Sequence, residues 1–202
     1  MKSLLLELRS SLLAVLTLGL VVCGAYPVAV WGAAQLLFKE KADGSLIRDP
    51  DGTVRGSALL GQPFSGPSYF HPRPSAAGTG YDGAYSGGTN LGPTSKKLAD
   101  AVEMAAKAYR AENGLPETEI VPADAVTSSG SGLDPHISPS NAELQVHRVA
   151  QARSLPADTV RVLVAKYTEP RSLNVFGEPG VNVLLLNRAL DALPKDSGTN
   201  RR

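Results

Sequence analysis

Residues 10–38 read SSLLAVLTLGLVVCGAYPVAVWGAAQLLF and contain no charged side chain. An uncharged, apolar run of more than about 18 residues is typical of a transmembrane helix. As a helix, residues 12–31 alone would span about 30 Å, which matches the hydrocarbon core of a bilayer. Tyr26 and Trp31 fall where interfacial aromatic residues are common. The sequence therefore predicts one membrane-spanning anchor helix.

Two other kinds of N-terminal segment fit this run less well. The apolar core of a cleaved signal peptide has about 7–15 residues, fewer than this run, although Gly32 and Ala34 have the small side chains of a cleavage site. A lipoprotein would carry its lipid on Cys23, but Val22 precedes this cysteine where a small residue is usual. We therefore favour an uncleaved anchor.

Small residues recur along the anchor at every fourth position, at Ala25, Ala29 and Ala33. Such a spacing lets a second helix approach closely, so these are candidate packing positions, although alanine is also simply common in membrane helices. Pro27 lies past the middle of the anchor. We expect it to kink the helix, because proline lacks the backbone N–H.

Two basic residues flank the anchor on each side, so charge alone does not orient it. Because long domains cross membranes largely regardless of such charges, the simplest topology leaves the short N-terminal segment inside. The predicted parts are a cytoplasmic stub, the transmembrane anchor, one extracytoplasmic domain and a frayed tail, at residues 1–9, 10–38, 39–193 and 194–202.

The composition of the 202-residue chain excludes several classes of protein. The formal net charge is +1, so there is no overall basic excess that would draw nucleic acid onto the surface. The single cysteine excludes an internal disulfide framework and a cysteine-rich zinc site. The 20 glycines and 15 prolines indicate that much of the chain is irregular and shaped by turns.

Residues 61–93, hereafter the Gly/Pro loop, hold eight glycines and five prolines but also five of the eleven aromatic residues. Disordered linkers are poor in aromatic residues, so this composition predicts an ordered loop. Two roles stay open: recognition of a partner, and an aromatic-stapled loop folded onto its own domain. The candidate contact residues are Phe64, Tyr69, Phe70, Arg73, Tyr81, Tyr85 and Asn90.

Local signals on either side of this loop predict short strands and helices. Turn-forming Asp-Gly pairs before residue 60 bracket a hairpin, and Ser138 with Pro139 is a typical helix start. The predicted helices cover 94–113, 139–153, 156–167 and 187–193, and a strand covers 181–186. The predicted fold class is α+β, with one N-terminal transmembrane helix followed by a single mixed α/β domain with long Gly/Pro-rich loops.

Residues 129–139, hereafter the Ser/Gly loop, read SGSGLDPHISP and are the segment most suggestive of chemistry. A Walker-type phosphate loop needs a lysine after its glycines, and none follows here. The nucleophile motif Gly-x-Ser-x-Gly is also absent, because Ser129 stands where its first glycine would be. Asp124, Asp134 and His136 form only a weak metal-ligand pattern. No catalytic or metal site is predicted.

Several motifs together resemble one known family. They are GQPF at 61–64, YFHPRPS at 69–75, SGGTNLGP at 86–93, VPAD at 121–124, the Ser/Gly loop, and GVNVL at 180–184. With the anchor helix they cover nearly the whole chain. In these features the chain resembles the C subunit of the bacterial Kdp potassium-transporting P-type ATPase.

The resemblance implies a non-catalytic accessory subunit of an ATP-driven potassium import pump in the bacterial inner (plasma) membrane. The implied partners are a channel-like, potassium-binding A subunit and a P-type ATPase B subunit, with a small single-helix F subunit as a further candidate. The family's C subunit is described as a catalytic chaperone that raises the ATP affinity of the B subunit. ATP is thus implied through the ATPase subunit, and no cofactor is expected on this chain.

The resemblance also likens the Ser/Gly loop to nucleotide-contacting loops, at Ser129, Gly130, Ser131, Gly132, Asp134 and His136. An extracytoplasmic domain does not meet cytoplasmic ATP, so on the predicted topology any such effect is indirect. A second implied role places the domain over the external mouth of the A subunit, where it stabilises the complex or influences potassium entry. From a different class, the alternative is a membrane-anchored exported hydrolase or ligand-binding domain that uses Asp134 and His136.

Overall fold

The computed structural model describes residues 2–193, so the predicted tail at 194–202 lies outside the described residues. Helices and short strands occur together, as the predicted α+β class requires. Contacts between Cα atoms divide the chain into two compact units, Met1–Ser57 and Ala58–Arg202. The domain boundary expected at residue 39 stays a prediction.

The first unit begins with a long helix that contains α1 (Lys2–Gly19), a π-helical turn (Leu20–Ala25) and α2 (Tyr26–Leu37). Its segment Ser3–Leu37 has 35 residues and a mean hydropathy of 2.2, and none of its most apolar stretch is buried. By length and composition this helix can cross a membrane, which is consistent with the predicted anchor.

The disturbance expected at Pro27 takes the form of the π-helical turn just before it. The N–H of Tyr26 donates to the carbonyl oxygen of Val21, five residues back. A proline ring clashes with the carbonyl four residues earlier, here that of Cys23, and a widened turn is one way for a helix to relieve such a clash.

A short helix, α3 (Lys39–Ala42), and a hairpin complete the first unit. The strands β1 (Leu46–Arg48) and β2 (Val54–Ser57) pair antiparallel around the Asp51-Gly52 turn. The hydroxyl of Ser57 donates to the carbonyl oxygen of Gly44, 2.7 Å away, and fastens the end of β2. A hairpin is present as predicted, but Asp51-Gly52 lies in its turn and does not mark its end.

The second unit packs helices around a small antiparallel sheet, in which Gly180–Asn182 pairs with His136–Ile137 on one side and with Thr168–Glu169 on the other. Three predicted helices are confirmed, because their local start and stop signals are strong. Ser138 caps one of them by accepting from the N–H of Asn141, and Gly114 ends another at a φ of 65°. The elements in chain order are α4 (Lys96–Asn113), α5 (Ala123–Val126), β3 (His136–Ile137), α6 (Pro139–Arg153), α7 (Ala157–Lys166), β4 (Thr168–Glu169), β5 (Gly180–Asn182) and α8 (Val183–Asp191).

The strand predicted over residues 181–186 is wrong in its second half. Strand β5 ends at Asn182, and α8 begins at Val183, four residues before the predicted helix start at 187. The side chain of Asn182 accepts a hydrogen bond of 3.1 Å from the N–H of Leu185. This N-cap starts the helix inside an apolar run whose composition alone predicts a strand.

The hydrophobic core of this unit lies among α6, α7, α8, β3 and β5, and it includes one residue from the Gly/Pro loop. That residue, Phe70, is fully buried. The Gly/Pro loop, all of which the structure describes, contains no helix or strand. An irregular segment therefore enters the core, and its backbone needs hydrogen-bond partners there.

Candidate functional site

The two loops singled out by sequence, the Gly/Pro loop and the Ser/Gly loop, lie directly against each other. The N–H of Gly61 donates to the carbonyl oxygen of Leu133 at 2.8 Å, and the N–H of Gly87 donates to that of Ser131 at 2.9 Å. The hydroxyl of Ser75 donates to the carbonyl oxygen of Gly132 at 2.6 Å. The contact is made largely by backbone against backbone.

Gly132 is the point where the two loops approach most closely. Its φ of +67° is in the left-handed region, and a Cβ placed on it would lie 2.6 Å from the nitrogen of Ala77 and 2.7 Å from the oxygen of Gly87. Both are backbone atoms that cannot swing aside, so only glycine fits here. The nearby Gly130 is exposed and has open space where a Cβ would go.

The serine hydroxyls of the Ser/Gly loop hold the shape of the loop itself. The Oγ of Ser129 accepts from the N–H of Gly132 at 2.9 Å, and the Oγ of Ser131 accepts from the N–H of Leu133 at 3.1 Å. The two hydroxyls are 3.3 Å apart and share a hydrogen bond. These groups therefore act as turn-forming side chains.

A buried arginine, for which the sequence pattern predicted no structural role, holds the start of the Gly/Pro loop. The Nη1 of Arg148 donates to the carbonyl oxygens of Pro67 and Tyr69, both at 2.9 Å, and lies 3.3 Å from that of Gly66. Its Nε donates to Asn113 Oδ1, also at 2.9 Å. Burial lowers the pKa of Arg148, and its contacts are carbonyl and amide oxygens.

Two buried side-chain amides continue this clamp along the loop. Gln145 accepts from the N–H of His71 at 2.7 Å and donates to its carbonyl oxygen at 3.1 Å. Asn187 pairs in the same two-way manner with the backbone of Phe70, with both bonds at 2.9 Å. Each amide satisfies both backbone groups of one loop residue, as a neighbouring strand would.

A signal for this clamp exists in the sequence of α6. Asn141, Gln145 and Arg148 follow one another at helical spacing, and they lie beside the apolar residues Val146 and Val149 on the inward face. Polar residues placed among core positions of a helix indicate buried hydrogen-bond partners. The sequence does not say which loop supplies those partners.

The structure separates the predicted contact residues of the Gly/Pro loop into inner and outer positions. Phe70 is in the core, and Tyr69 stacks under the guanidinium of Arg153, 4.9 Å from the ring centre. The hydroxyl of Tyr81 donates to the carbonyl oxygen of Arg73, and burial raises the pKa of Tyr81 to about 12.

The remaining members of that set differ in exposure. Phe64 is half-buried, with its ring 5.5 Å from that of Tyr69, whereas Tyr85 and Asn90 are exposed. Partner contact stays a prediction for the whole set. Burial disfavours it most for Phe70 and least for Tyr85.

A cleft of about 530 Å³ opens beside the Ser/Gly loop, and it is lined by ionisable side chains that could take part in chemistry. Arg73 donates to Asp134 at 3.0 Å, and the backbone N–H of His136 donates to the other oxygen of Asp134 at 2.9 Å. The ring of His136 lies between Asp134 (Nδ1 to Oδ1, 3.5 Å) and Glu169 (Nε2 to Oε2, 3.4 Å). Nε2 is nonetheless buried without a well-directed hydrogen bond among the described residues.

The groups around Asp134 and His136 shift the pKa values of both side chains. Burial of Asp134 favours its neutral form, but hydrogen bonds from the side chain and backbone of His136 and the charge of Arg73 outweigh burial and lower the pKa of Asp134. The hydrogen bond with Asp134 raises the pKa of His136 against the effect of its burial, and Glu169 acts in the same direction. The cleft thus holds a carboxylate and a histidine that favour their charged forms.

The third candidate ligand of the weak metal pattern, Asp124, is used elsewhere. Its carboxylate accepts from the N–H and hydroxyl of Ser138 and from the amide of Asn141, at 2.8–2.9 Å. Within residues 2–193, no group of three or more His, Cys, Asp or Glu side chains is arranged to hold a metal ion. The geometry of this site is that of a charged cleft beside a tightly bonded pair of loops.

The comparisons with known proteins agree with the motif pattern. The family model described as KdpC, the c chain of K+-transporting ATPases, matches residues 8–192. The "Potassium-transporting ATPase KdpC subunit" of Nitratidesulfovibrio vulgaris is 56% identical over 187 residues, with 92% of this chain and 93% of the relative covered. The protein of the same name from Gemmatimonas aurantiaca is 54% identical over 96% of this chain and 97% of the relative.

A third relative with this name, from Mycobacterium tuberculosis, is 53% identical over 92% of this chain and its own full length. These matches extend over the anchor helix and over both loops. The chain therefore belongs to the KdpC family and is an accessory subunit of a potassium-transporting ATPase.

Proposed function

We propose that the chain is a non-catalytic subunit that stabilises the assembled pump through an extracytoplasmic domain. The observation that carries this proposal is the use of the Ser/Gly loop. The hydroxyls of Ser129 and Ser131 and the backbone of Gly132 bind the loop itself and the Gly/Pro loop. Groups engaged in this way serve a rigid scaffold better than a nucleotide site.

The proposed partners are the channel-like A subunit, the P-type ATPase B subunit and the small single-helix F subunit. ATP is bound by the B subunit in this proposal, and the chain raises its ATP affinity indirectly. Such a coupling needs two states of the complex that the chain stabilises unequally. The exposed Ala25, Ala29 and Ala33 are the proposed contacts of the anchor with a partner helix.

A second candidate function, a ligand-binding or hydrolytic domain, is favoured by one observation, the cleft with Asp134 and His136. The two functions respond differently to one change. Asp134→Asn with His136→Gln keeps size and hydrogen-bonding capacity but removes the ionisable pair. An enzyme would lose several orders of magnitude in rate, whereas a scaffold keeps most of its activity.

The deciding experiment is add-back to a pump purified without this chain. Wild-type chain should restore potassium-stimulated ATP hydrolysis and lower the ATP concentration needed for half-maximal rate. The Asp134→Asn/His136→Gln variant should restore the rate of hydrolysis and this ATP concentration to within about threefold of the wild-type values. Loss of restoration by this variant, with its fold retained, would instead support chemistry in the cleft.

The proposed topology has its own test. In a Cys23→Ser background, Ser75→Cys in intact cells should react with a membrane-impermeant thiol reagent. Protection of that cysteine until the cells are lysed would place the domain on the cytoplasmic side and overturn the topology.

A further inference from the structure

One exposed apolar segment plays no part in the loops described above. Residues 171–177, hereafter the apolar tip, connect β4 to β5. Leu173 is 85% exposed, and Val175 and Phe176 are each 66% exposed. Three large apolar side chains on one short connection form a local hydrophobic surface, of the kind that marks an interaction site when it occurs as a patch.

The backbone of the apolar tip bonds to itself. Ser172 and Phe176 exchange two hydrogen bonds, each of 2.9 Å, and the N–H of Val175 also donates to the carbonyl oxygen of Ser172. The turn between them has positive φ at Leu173 (54°) and at Asn174 (60°). A segment closed in this way presents its side chains on a defined framework and loses little freedom on binding.

Leucine is an unfavourable residue at the position that Leu173 occupies. Positive φ suits glycine and asparagine, whereas a bulky side chain there is strained. The side chain also gains little from burial, because it is almost fully exposed. A strained and exposed apolar residue at the end of a turn is therefore better explained by a contact outside the chain.

Negative charge lies next to the apolar tip. Phe176 lines the cleft together with Glu169 and Glu178, which flank the tip in sequence. Arg171 is the one basic residue within the tip. Arg73 and His136 in the same cleft lie against Asp134 and Glu169, so Glu178 is the carboxylate beside the tip that can attract a basic side chain of a protein and would be repelled by an anionic lipid surface.

We infer that the apolar tip docks into an apolar pocket on the extracytoplasmic surface of another subunit of the pump, beside a lysine or arginine that faces Glu178. This inference rests on the proposed function, since it names the surface by which the accessory subunit is held. The partner is recognised by shape and apolar area at the tip and by charge at the cleft.

The test compares two double variants of the full chain in the add-back assay. Leu173→Asn/Val175→Thr removes the apolar surface, while asparagine suits positive φ and threonine keeps the branched shape. The matched control is Ile120→Asn/Val162→Thr, at side chains that are 84% and 68% exposed. The tip variant should need at least about tenfold more protein for half-maximal restoration, and the control should stay within about twofold.

The outcomes separate this inference from the proposed function. Equal restoration by the tip variant and the control would overturn the docking surface alone. Failure of the wild-type chain to bind or stimulate the pump would overturn the proposed function, and the docking surface with it. Glu178→Gln should weaken restoration by about threefold and flatten its dependence on ionic strength.

A second measurement does not depend on how well the variants fold into the pump. An environment-sensitive fluorophore is attached at Leu173→Cys in the Cys23→Ser background, and the full chain is placed in liposomes with or without the other subunits. A blue shift that requires the other subunits supports docking. A blue shift in liposomes alone would place the tip in the bilayer, and no shift in either sample would leave it in water; both results overturn the inference.

Discussion

The Gly/Pro loop and the apolar tip are both irregular segments with large apolar side chains, but they direct these side chains differently. Phe70 of the loop is fully buried in the core, and Tyr81 is half-buried against the loop itself. In the tip, Leu173, Val175 and Phe176 are exposed. Aromatic and apolar content alone therefore does not distinguish a packing segment from a contact surface.

The backbone of each segment explains the difference. Buried polar groups of the Gly/Pro loop are satisfied by side chains from the helices, above all Gln145, Arg148 and Asn187. In the apolar tip, Ser172 and Phe176 instead make their backbone hydrogen bonds to each other. A loop bonded by other elements becomes part of the core, whereas a loop that bonds to itself can stand out from it.

The largest expected effect comes from weakening the clamp on the Gly/Pro loop. Arg148→Lys should lower the melting temperature of the full chain in detergent by about 6–12 °C, because one ammonium cannot replace a guanidinium that reaches loop carbonyls and Asn113 together. The matched change Arg161→Lys, at a half-exposed ion pair, should shift it by less than about 2 °C. If Arg148→Lys lowers the melting temperature no more than Arg161→Lys does, the clamp contributes little to the stability of the fold.

Two glycine substitutions sharpen the comparison within the Ser/Gly loop. Gly132→Ala should lower the melting temperature by about 4–8 °C, because its Cβ would meet backbone atoms at 2.6 and 2.7 Å. Gly130→Ala should change it little, since that position has open space. If Gly130→Ala leaves the fold intact but abolishes the effect of the chain on the ATP affinity of the pump, the loop contacts nucleotide and our account of it is wrong.

A smaller effect is expected from the tyrosines of the Gly/Pro loop. Tyr81→Phe removes the hydroxyl that binds the carbonyl oxygen of Arg73, and should cost about 1 kcal/mol, or about 2–4 °C in melting temperature. Tyr85→Phe, at an exposed side chain, should leave the melting temperature unchanged. Loss of stability with Tyr85→Phe but not with Tyr81→Phe would reverse the inner and outer assignment of these residues.

The smallest effect is a dependence of stability on pH. Because the folded pKa of His136 is raised above 6.5, its contribution is complete below about pH 6 and is lost as the pH rises through the folded value. The melting temperature of the wild type relative to His136→Gln should therefore fall as the pH rises from about 6 through the folded pKa of His136. The lowered pKa of Asp134 keeps that carboxylate charged throughout this range.

The control for this pH dependence is His147→Gln, at an exposed position of α6. This variant should follow the wild type at every pH. A constant difference between wild type and His136→Gln across the range would show that protonation of His136 does not stabilise the fold.

Local signals in the sequence predicted three of the helices, but not the side-chain contacts between segments that are distant in the chain. The cap at Ser138 and the stop at Gly114 act within a few residues, so their helices are where the pattern places them. The strand assignment failed because the capping side chain of Asn182 outweighs the apolar run that follows it. The local signal at Asn182 is therefore the better guide here than the apolar run at 183–186.

The contacts that define the loops join positions far apart in the chain. Gln145 is 74 residues from its partner His71, and Asn187 is 117 residues from Phe70. The inward face of α6 indicates buried polar groups, but nothing local names their partners. The apolar tip had a visible signal, Leu173, Val175 and Phe176 between turn-forming residues, and its meaning depends on exposure that only the fold determines.

Amide hydrogen exchange of the full chain, alone in detergent and in the assembled pump, tests the central claim most directly. The account predicts that amides bonded between the Gly/Pro loop and the Ser/Gly loop are protected in both samples, because those bonds are internal to the chain. Residues 171–177 should gain protection only on assembly. New protection at 129–132 with no change at 171–177 would contradict the account and make the Ser/Gly loop the contact surface.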